Sequence, residues 1–234
     1  LEPHPSLVSK KVASGTRNMA KEPAMSGEQA LRAIEAGIEV INNEEVAKGL
    51  DIVGVGDMGI GNTTSSSAIC AVITGEPVSR VTGKGTGIGD EQLAAKVKII
   101  ETALALNKPD AKDAIDILSK VGGFEIGGIV GVILGAAAQR LPVVIDGFIA
   151  GAAALIAVKL CPKVRDYLIA AHVSVETGHR AMLNYLGLEP VLDLGMRLGE
   201  GTGAALAISI VEAAAKVLTE MTTFADAGVS EKLD

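Results

Sequence analysis

Aromatic residues are scarce: the chain holds no tryptophan, two tyrosines and three phenylalanines in 234 residues. Its core must therefore be filled by Ala, Val, Ile, Leu and Gly. Basic charge is also in deficit. The formal net charge is −7, which argues against a general nucleic-acid binder, because such a protein presents a basic face to phosphates. A local basic pocket for one small phosphate stays open. Only two cysteines occur, Cys70 and Cys161, far apart and without CxxC spacing. They are expected to be buried free thiols in a reducing cytoplasm. With three scattered histidines they supply too few ligands for a structural metal site, and neither metal nor cofactor is expected. Long apolar runs are missing too. Residues 126–138 are too few to span a bilayer, and 143–160 carry Asp146 and Lys159 where a span would be uninterrupted. The first six residues, LEPHPS, have neither a basic start nor an apolar run, so no secretory leader is expected. These absences together describe a soluble cytoplasmic protein. A chain of this length accommodates one large α/β domain or two small ones.

What the chain has in excess is glycine, 28 residues, well above the roughly 7% of an average protein. They follow no three-residue period, which excludes collagen, so tight turns and close backbone approaches are expected. Between them the pattern alternates. Residues 25–48 have a cap at Ser26 and apolar positions Leu31, Ile34, Ile38 and Ile41 at helical spacing. Short apolar strands are expected at 51–55, 141–146, 167–171 and 190–194. Helices are expected at 63–73, 90–106, 111–120, 125–139, 147–160, 175–186 and 200–221. Short strands apolar on both faces, alternating with helices, predict an α/β fold. Its mostly parallel sheet would be covered by helices on both faces in a Rossmann-like arrangement. The main domain is placed at 25–224, with 1–24 as an extension or remnant of a small domain and 225–234 as a tail.

Such sheets bind ligands at the carboxyl ends of their strands, so the residues just after each strand are the informative ones. After the first strand comes 54–64, GVGDMGIGNTT. It contains the GxGxxG of dinucleotide-binding proteins. However, Asp57 inside the turn would repel a pyrophosphate, and the next acid, Glu76, stands before Pro77 in a loop. A single phosphate near Gly59, with Asp57 turned toward ribose hydroxyls, fits better than NAD; the alternative is a plain tight turn. A second glycine-rich stretch, 83–87 (GKGTG), with Lys96 further on, offers backbone donors and a cation for a phosphate, or is simply a mobile loop. In 196–203, MRLGEGTG, Glu200 stands between glycines at a helix start. It reads either as a capping carboxylate or as a general base, whose pKa desolvation would raise toward neutrality. His172 and Ser174 lack a nucleophile elbow; Ser174 reads as a cap or phosphate donor, and His4 and His179 as ordinary polar positions.

In order along the chain, 24–26 (AMS), 54–64, 118–124 (LSKVGGF), 141–148 (LPVVIDGF) and 196–206 (MRLGEGTGAAL) resemble the nicotinate-nucleotide–dimethylbenzimidazole phosphoribosyltransferase family. The resemblance runs from about Ser14 to Thr222. It implies transfer of 5-phosphoribosyl from nicotinate mononucleotide to 5,6-dimethylbenzimidazole by a single displacement, without metal or covalent nucleophile. It also implies Glu200 as the general base, Arg197 and Leu198 beside the nicotinate and base, and Gly59, Asn62, Gly85, Lys96 and Ser174 around the mononucleotide. A homodimer is implied as well, with 125–139 and 147–160 either at its interface or inside the core. The family usually has Glu where Asp57 stands. Its N-terminal segment, which supplies part of the base pocket and of a small helical second domain, has no counterpart here. A non-catalytic nucleotide-binding remnant is therefore the alternative reading.

Overall fold

The computed structural model describes residue 4, residues 7–85 and residues 87–229. Parts of the expected end segments, residues 1–3, 5, 6 and 230–234, lie outside the described residues, as does Thr86 of the second glycine-rich stretch. Three short strands, β1 (Val53–Val55), β2 (Val143–Ile145) and β3 (Leu168–Ala170), pair in parallel in that order. Alternation along them divides two cores. Val143, Ile145 and Leu168 face the main one, while Val144 joins Ala171, Ala204 and Ala207 in a smaller one on the other face. β2 is buried at every position and β3 nearly so, which is why the sequence shows continuous apolar runs there.

The main core is roofed by α1 (Gly27–Lys48), α2 (Thr63–Thr74), α3 (Val78–Val81), α4 (Asp90–Asn107), α5 (Ala114–Val121), α6 (Phe124–Ala138), α7 (Gly147–Leu160) and α8 (His179–Leu186). Among the described residues, α9 (Thr202–Glu220) alone covers the opposite face, against β1 and β2. In α1, Ser26 and Gln29 form the reciprocal capping box, which satisfies two backbone donors at the helix start. Ala30, Ala33, Ile34, Gly37 and Ile41 form its buried stripe. That stripe lies directly on α6. A Cβ at Gly131 would stand 1.9 Å from the Ile34 carbonyl oxygen, and one at Gly37 would stand 2.0 Å from that of Gly128. Glycine is what lets the two backbones meet.

Several boundaries differ from those expected. The helix expected from 111 starts at Ala114 because the Asp113 side chain accepts from the N–H groups of Ile115 and Asp116. The one expected from 175 starts at His179, after a turn in which the Ser174 hydroxyl accepts from Glu176 N–H. The strand expected at 190–194 is a single bridge from Leu192 to His172, and Gly195 then turns the chain away at φ +65°. The short helix α3 lies outside the expected elements. Cys70 is buried as expected, and burial pushes its thiol up to about 12. Cys161 is exposed, since it follows the last turn of α7 where the chain leaves the core.

The small-residue helices do not form a free interface. Residues 147–157 of α7 are all buried, and α6 is clamped between α1 and α7. Exposed apolar residues occur at several places on the surface, and α9 with the segment just after it carries a run of them: Leu206, Ile210, Val217, Leu218, Met221 and Phe224. By length and composition alone α9 is also long and apolar enough to cross a membrane, at mean hydropathy 1.4. Its first turns, however, are fixed on the sheet by Ala204 and Ala207.

Candidate active site

The carboxyl ends of the strands converge, with the loop before α9, on a cleft of about 360 Å³. Of the residues singled out in the sequence, Gly59, Gly85, Ser174, Arg197, Leu198 and Glu200 line it. The other three stand behind that lining. Asp57 lies two residues beyond β1 and accepts from the Asn62 side chain at 2.5 Å, while Lys96 donates to Thr63 at 2.9 Å and to the Gly83 carbonyl at 3.1 Å. Glu176, which lines the cleft near Lys96, has no signal in the sequence. It belongs to no motif, and only the turn before α8 brings it there. Met58, Ile60, Phe148 and Ile149 make one side of the cleft apolar; Phe148 lies in one of the motifs but had no expected role.

Glu200 is held by its backbone. The Asp57 N–H donates to the Gly199 carbonyl at 2.7 Å. A Cβ at Gly56 would lie 2.4 Å from the Gly201 nitrogen, so the loop rests on the strand end. Gly199 and Gly201 adopt φ +73° and +92°, which keeps Glu200 out of the helix that starts at Thr202. The Glu200 side chain does not cap that helix. It is exposed, so the desolvation anticipated for it is not supplied by the described residues.

Asp57 is the perturbed carboxylate. Its pKa is pushed up to about 6 by burial; the Asn62 hydrogen bond opposes this, and the charges of Glu125 and Glu200 add to it. In the unfolded chain the same group ionises near about 4. Between about 4 and 6 the folded form keeps a proton that the unfolded form has shed, so this group's contribution lowers stability as pH rises through that window. Asp57→Asn is expected to remove that slope. Thermal melts should show the variant gaining on the parent from about pH 4 to about pH 6 and holding the gain above. Parallel pH profiles would show that the carboxyl is not perturbed.

Around Lys96 the structure gathers donors. Burial lowers its pKa, while the Glu176 carboxylate raises it. Gly85, at φ +55°, would place a Cβ 3.1 Å from the Thr63 hydroxyl and 3.8 Å from the lysine nitrogen, so its backbone lies against both. Asn62 precedes α2, but its side chain makes no cap to that helix: its Nδ2 donates to Asp57, and its Oδ1 meets no helix N–H. The first N–H groups of α2 thus lack a side-chain cap beside the cleft.

Beneath the cleft lies a buried cluster. Asp146 stands 2.8 Å from His172 Nε2, and both are almost fully buried. Burial works against a charged His172, but hydrogen bonding to Asp146, the Val173 backbone and the Asp146 charge together outweigh it and raise its pKa. His179 is not an ordinary polar position. It is buried, accepts from Ser174 N–H at 2.8 Å through Nδ1, and is held down to about 3 by burial and by His172. A neutral imidazole there orients Ser174.

Fold and site define a class: a parallel α/β protein with a cleft at its strand ends lined by glycines and by Glu176 and Glu200, with Lys96 just behind the lining. The chain belongs to a phosphoribosyltransferase family, whose sequence profile matches residues 2–229. Among its relatives is the nicotinate-nucleotide–dimethylbenzimidazole phosphoribosyltransferase of Dehalococcoides mccartyi, 62% identical over 97% of this chain. Another is the enzyme of the same name from Geobacter sulfurreducens, 60% identical over 97%. In both cases the chain spans 64% of the relative's length. The crystal structure of CobT from Thermus thermophilus superposes with TM-score 0.93 at 45% identity, covering 99% of this chain and 69% of that one.

Proposed function

We propose that this chain carries the transfer site of an enzyme that moves 5-phosphoribosyl from nicotinate mononucleotide to 5,6-dimethylbenzimidazole. The products would be nicotinate and α-ribazole 5′-phosphate, the precursor of the lower ligand of vitamin B12. The observation that carries this reading is the convergence of glycine-rich loops and Glu200 on one cleft, with Lys96 bonded to Thr63 of its lining, in a chain about 60% identical to enzymes bearing that name.

Lys96, Thr63, Ser174, the Gly59 and Gly85 backbones and the uncapped start of α2 suit a phosphate, which a cation and oriented N–H groups hold together. Asp57 and Asn62 lie where ribose hydroxyls would follow. Met58, Ile60, Phe148, Ile149 and Leu198 offer a flat apolar side for an aromatic base, with Arg197 available to the nicotinate carboxylate. Attack by one benzimidazole nitrogen on ribose C1′ breaks the bond to nicotinate from the opposite face and inverts that carbon. The proton on the other nitrogen passes to Glu200. No covalent nucleophile is needed; a fixed phosphate, an in-line sugar and a base suffice.

The working protein is a cytoplasmic homodimer in this reading. In the same reading the domain from 25 to 224 is its catalytic body, with 1–24 an extension or a remnant of a small domain and 225–234 a tail. The apolar residues left exposed along α9 support association, because monomers rarely expose contiguous apolar faces. Sedimentation equilibrium should return twice the chain mass; a monomer at micromolar concentration would remove the dimer.

Incubation with nicotinate mononucleotide and dimethylbenzimidazole, followed by mass-resolved chromatography, tests the function. Release of nicotinate with matching α-ribazole phosphate supports it. The exposure of Glu200 favours a second reading, a nucleotide-binding module without transfer activity. Saturable mononucleotide binding without product would select that one.

A further inference from the structure

Asp146 occupies the position before α7 where an aspartate ordinarily caps its own helix, yet its side chain makes no bond there. It reaches instead to a different helix. One carboxylate oxygen, Oδ2, accepts from the Gly201 N–H at 2.6 Å and the Gly203 N–H at 3.3 Å. These are among the first amide groups of α9, where a carboxylate is favoured by the helix dipole. The other oxygen is 2.8 Å from His172 Nε2. No room is left for a different arrangement. A Cβ at Gly203 would lie 2.4 Å from the His172 ring and 2.5 Å from Asp146 Oδ1, and one at Gly147 would lie 3.0 Å from the Gly199 Cα.

Glu200 is therefore pinned from both sides: Asp57 N–H holds the carbonyl before it, and Asp146 holds the amide after it. Asp146 is only 1% exposed, so its bonds act without competition from water. We infer that Asp146, steadied by His172, is the positioning residue for Glu200, fixing the main chain of residues 199–203 so that the Glu200 carboxylate meets the cleft at one place. This rests on the transfer function proposed above for Glu200. In this role Asp146 touches no substrate; it acts through the backbone.

The test compares the parent with Asp146→Asn, which keeps the shape of the side chain and loses its charge, and with Glu200→Gln. In Asp146→Asn, kcat is expected to fall on the order of 10²-fold, as displacement of a catalytic group by about an ångström produces, with KM for nicotinate mononucleotide within about twofold. Amide hydrogen exchange at Gly201 and Gly203 should quicken by on the order of tenfold or more, while that of β2 is unchanged. Glu200→Gln should lose transfer and keep both amides protected. Unchanged kcat in Asp146→Asn, a loss carried by KM alone, or parent-like exchange at Gly201 and Gly203 would overturn the inference. A parent protein that transfers nothing would sink the function itself. The exchange measurement would still decide whether Asp146 holds the loop.

Discussion

Glu200→Gln is expected to bind nicotinate mononucleotide as the parent does and to transfer its phosphoribosyl group about 10²- to 10⁴-fold more slowly, the usual span for loss of a general base. The substitution preserves size, and the loop around it is held by the Asp57 N–H and the Asp146 carboxylate rather than by the Glu200 side chain. The protein should fold normally. The loss belongs in kcat because proton removal from the benzimidazole is completed only as the new bond to C1′ forms. Titration of mononucleotide by calorimetry, beside initial rates of nicotinate release, separates the two parameters. Turnover equal to that of the parent would show that the benzimidazole proton leaves by another route. A raised KM with normal kcat would recast Glu200 as a binding group.

The largest expected effect on stability comes from a single methyl at Gly131. In Gly131→Ala the new carbon would sit 1.9 Å from the Ile34 carbonyl oxygen and 2.9 Å from the Gly37 Cα. Both obstacles are backbone of α1, so neither can rotate away; the helices must separate or bend. Overpacking by one methylene costs about 1–3 kcal/mol where side chains can adjust, and the upper end or more is expected here. In a domain of this size about 3 kcal/mol corresponds to a fall of roughly 6–12 °C in the melting midpoint. Gly128→Ala is the matched control. It lies in the same helix with nothing within 4 Å of the added carbon, and is expected to stabilise by roughly 0.5–1 kcal/mol through helix propensity. Thermal melts of both variants check the pair. Equal melting points would mean that the α1–α6 contact is looser than the structure has it.

Local chemistry made much of the fold legible without coordinates. Ser26 announces the start of α1, β-branched runs give β1 and β2, and glycine or proline punctuates most helix ends; hydrogen bonds to the next turn and side-chain periodicity are written into neighbouring residues. The parallel α/β class followed from strands apolar on both faces. The motifs around Gly59 and Glu200 followed from glycines placed just after expected strands, and that around Gly85 from a second glycine-rich stretch. Some errors were local as well, as at Asp113 and Ser174, where a side chain took over a backbone donor and moved a helix start by a few residues.

Other features had no local signature. Nothing near Asp146 in sequence says that it caps a helix more than 50 residues away, that His172 lies against it, or that His179 is buried and neutral. Glu176 joined the cleft, the small-residue helices went inside and α9 kept an apolar face in solvent, each because of how elements pack across the whole chain. The sequence by itself determined most of the elements, the fold class and the glycine-rich loops that line the cleft, since these depend on interactions within a few residues. Only the tertiary structure decided which polar groups meet, because burial and long-range contact set the partner, and with it the charge and orientation, of every side chain at the site.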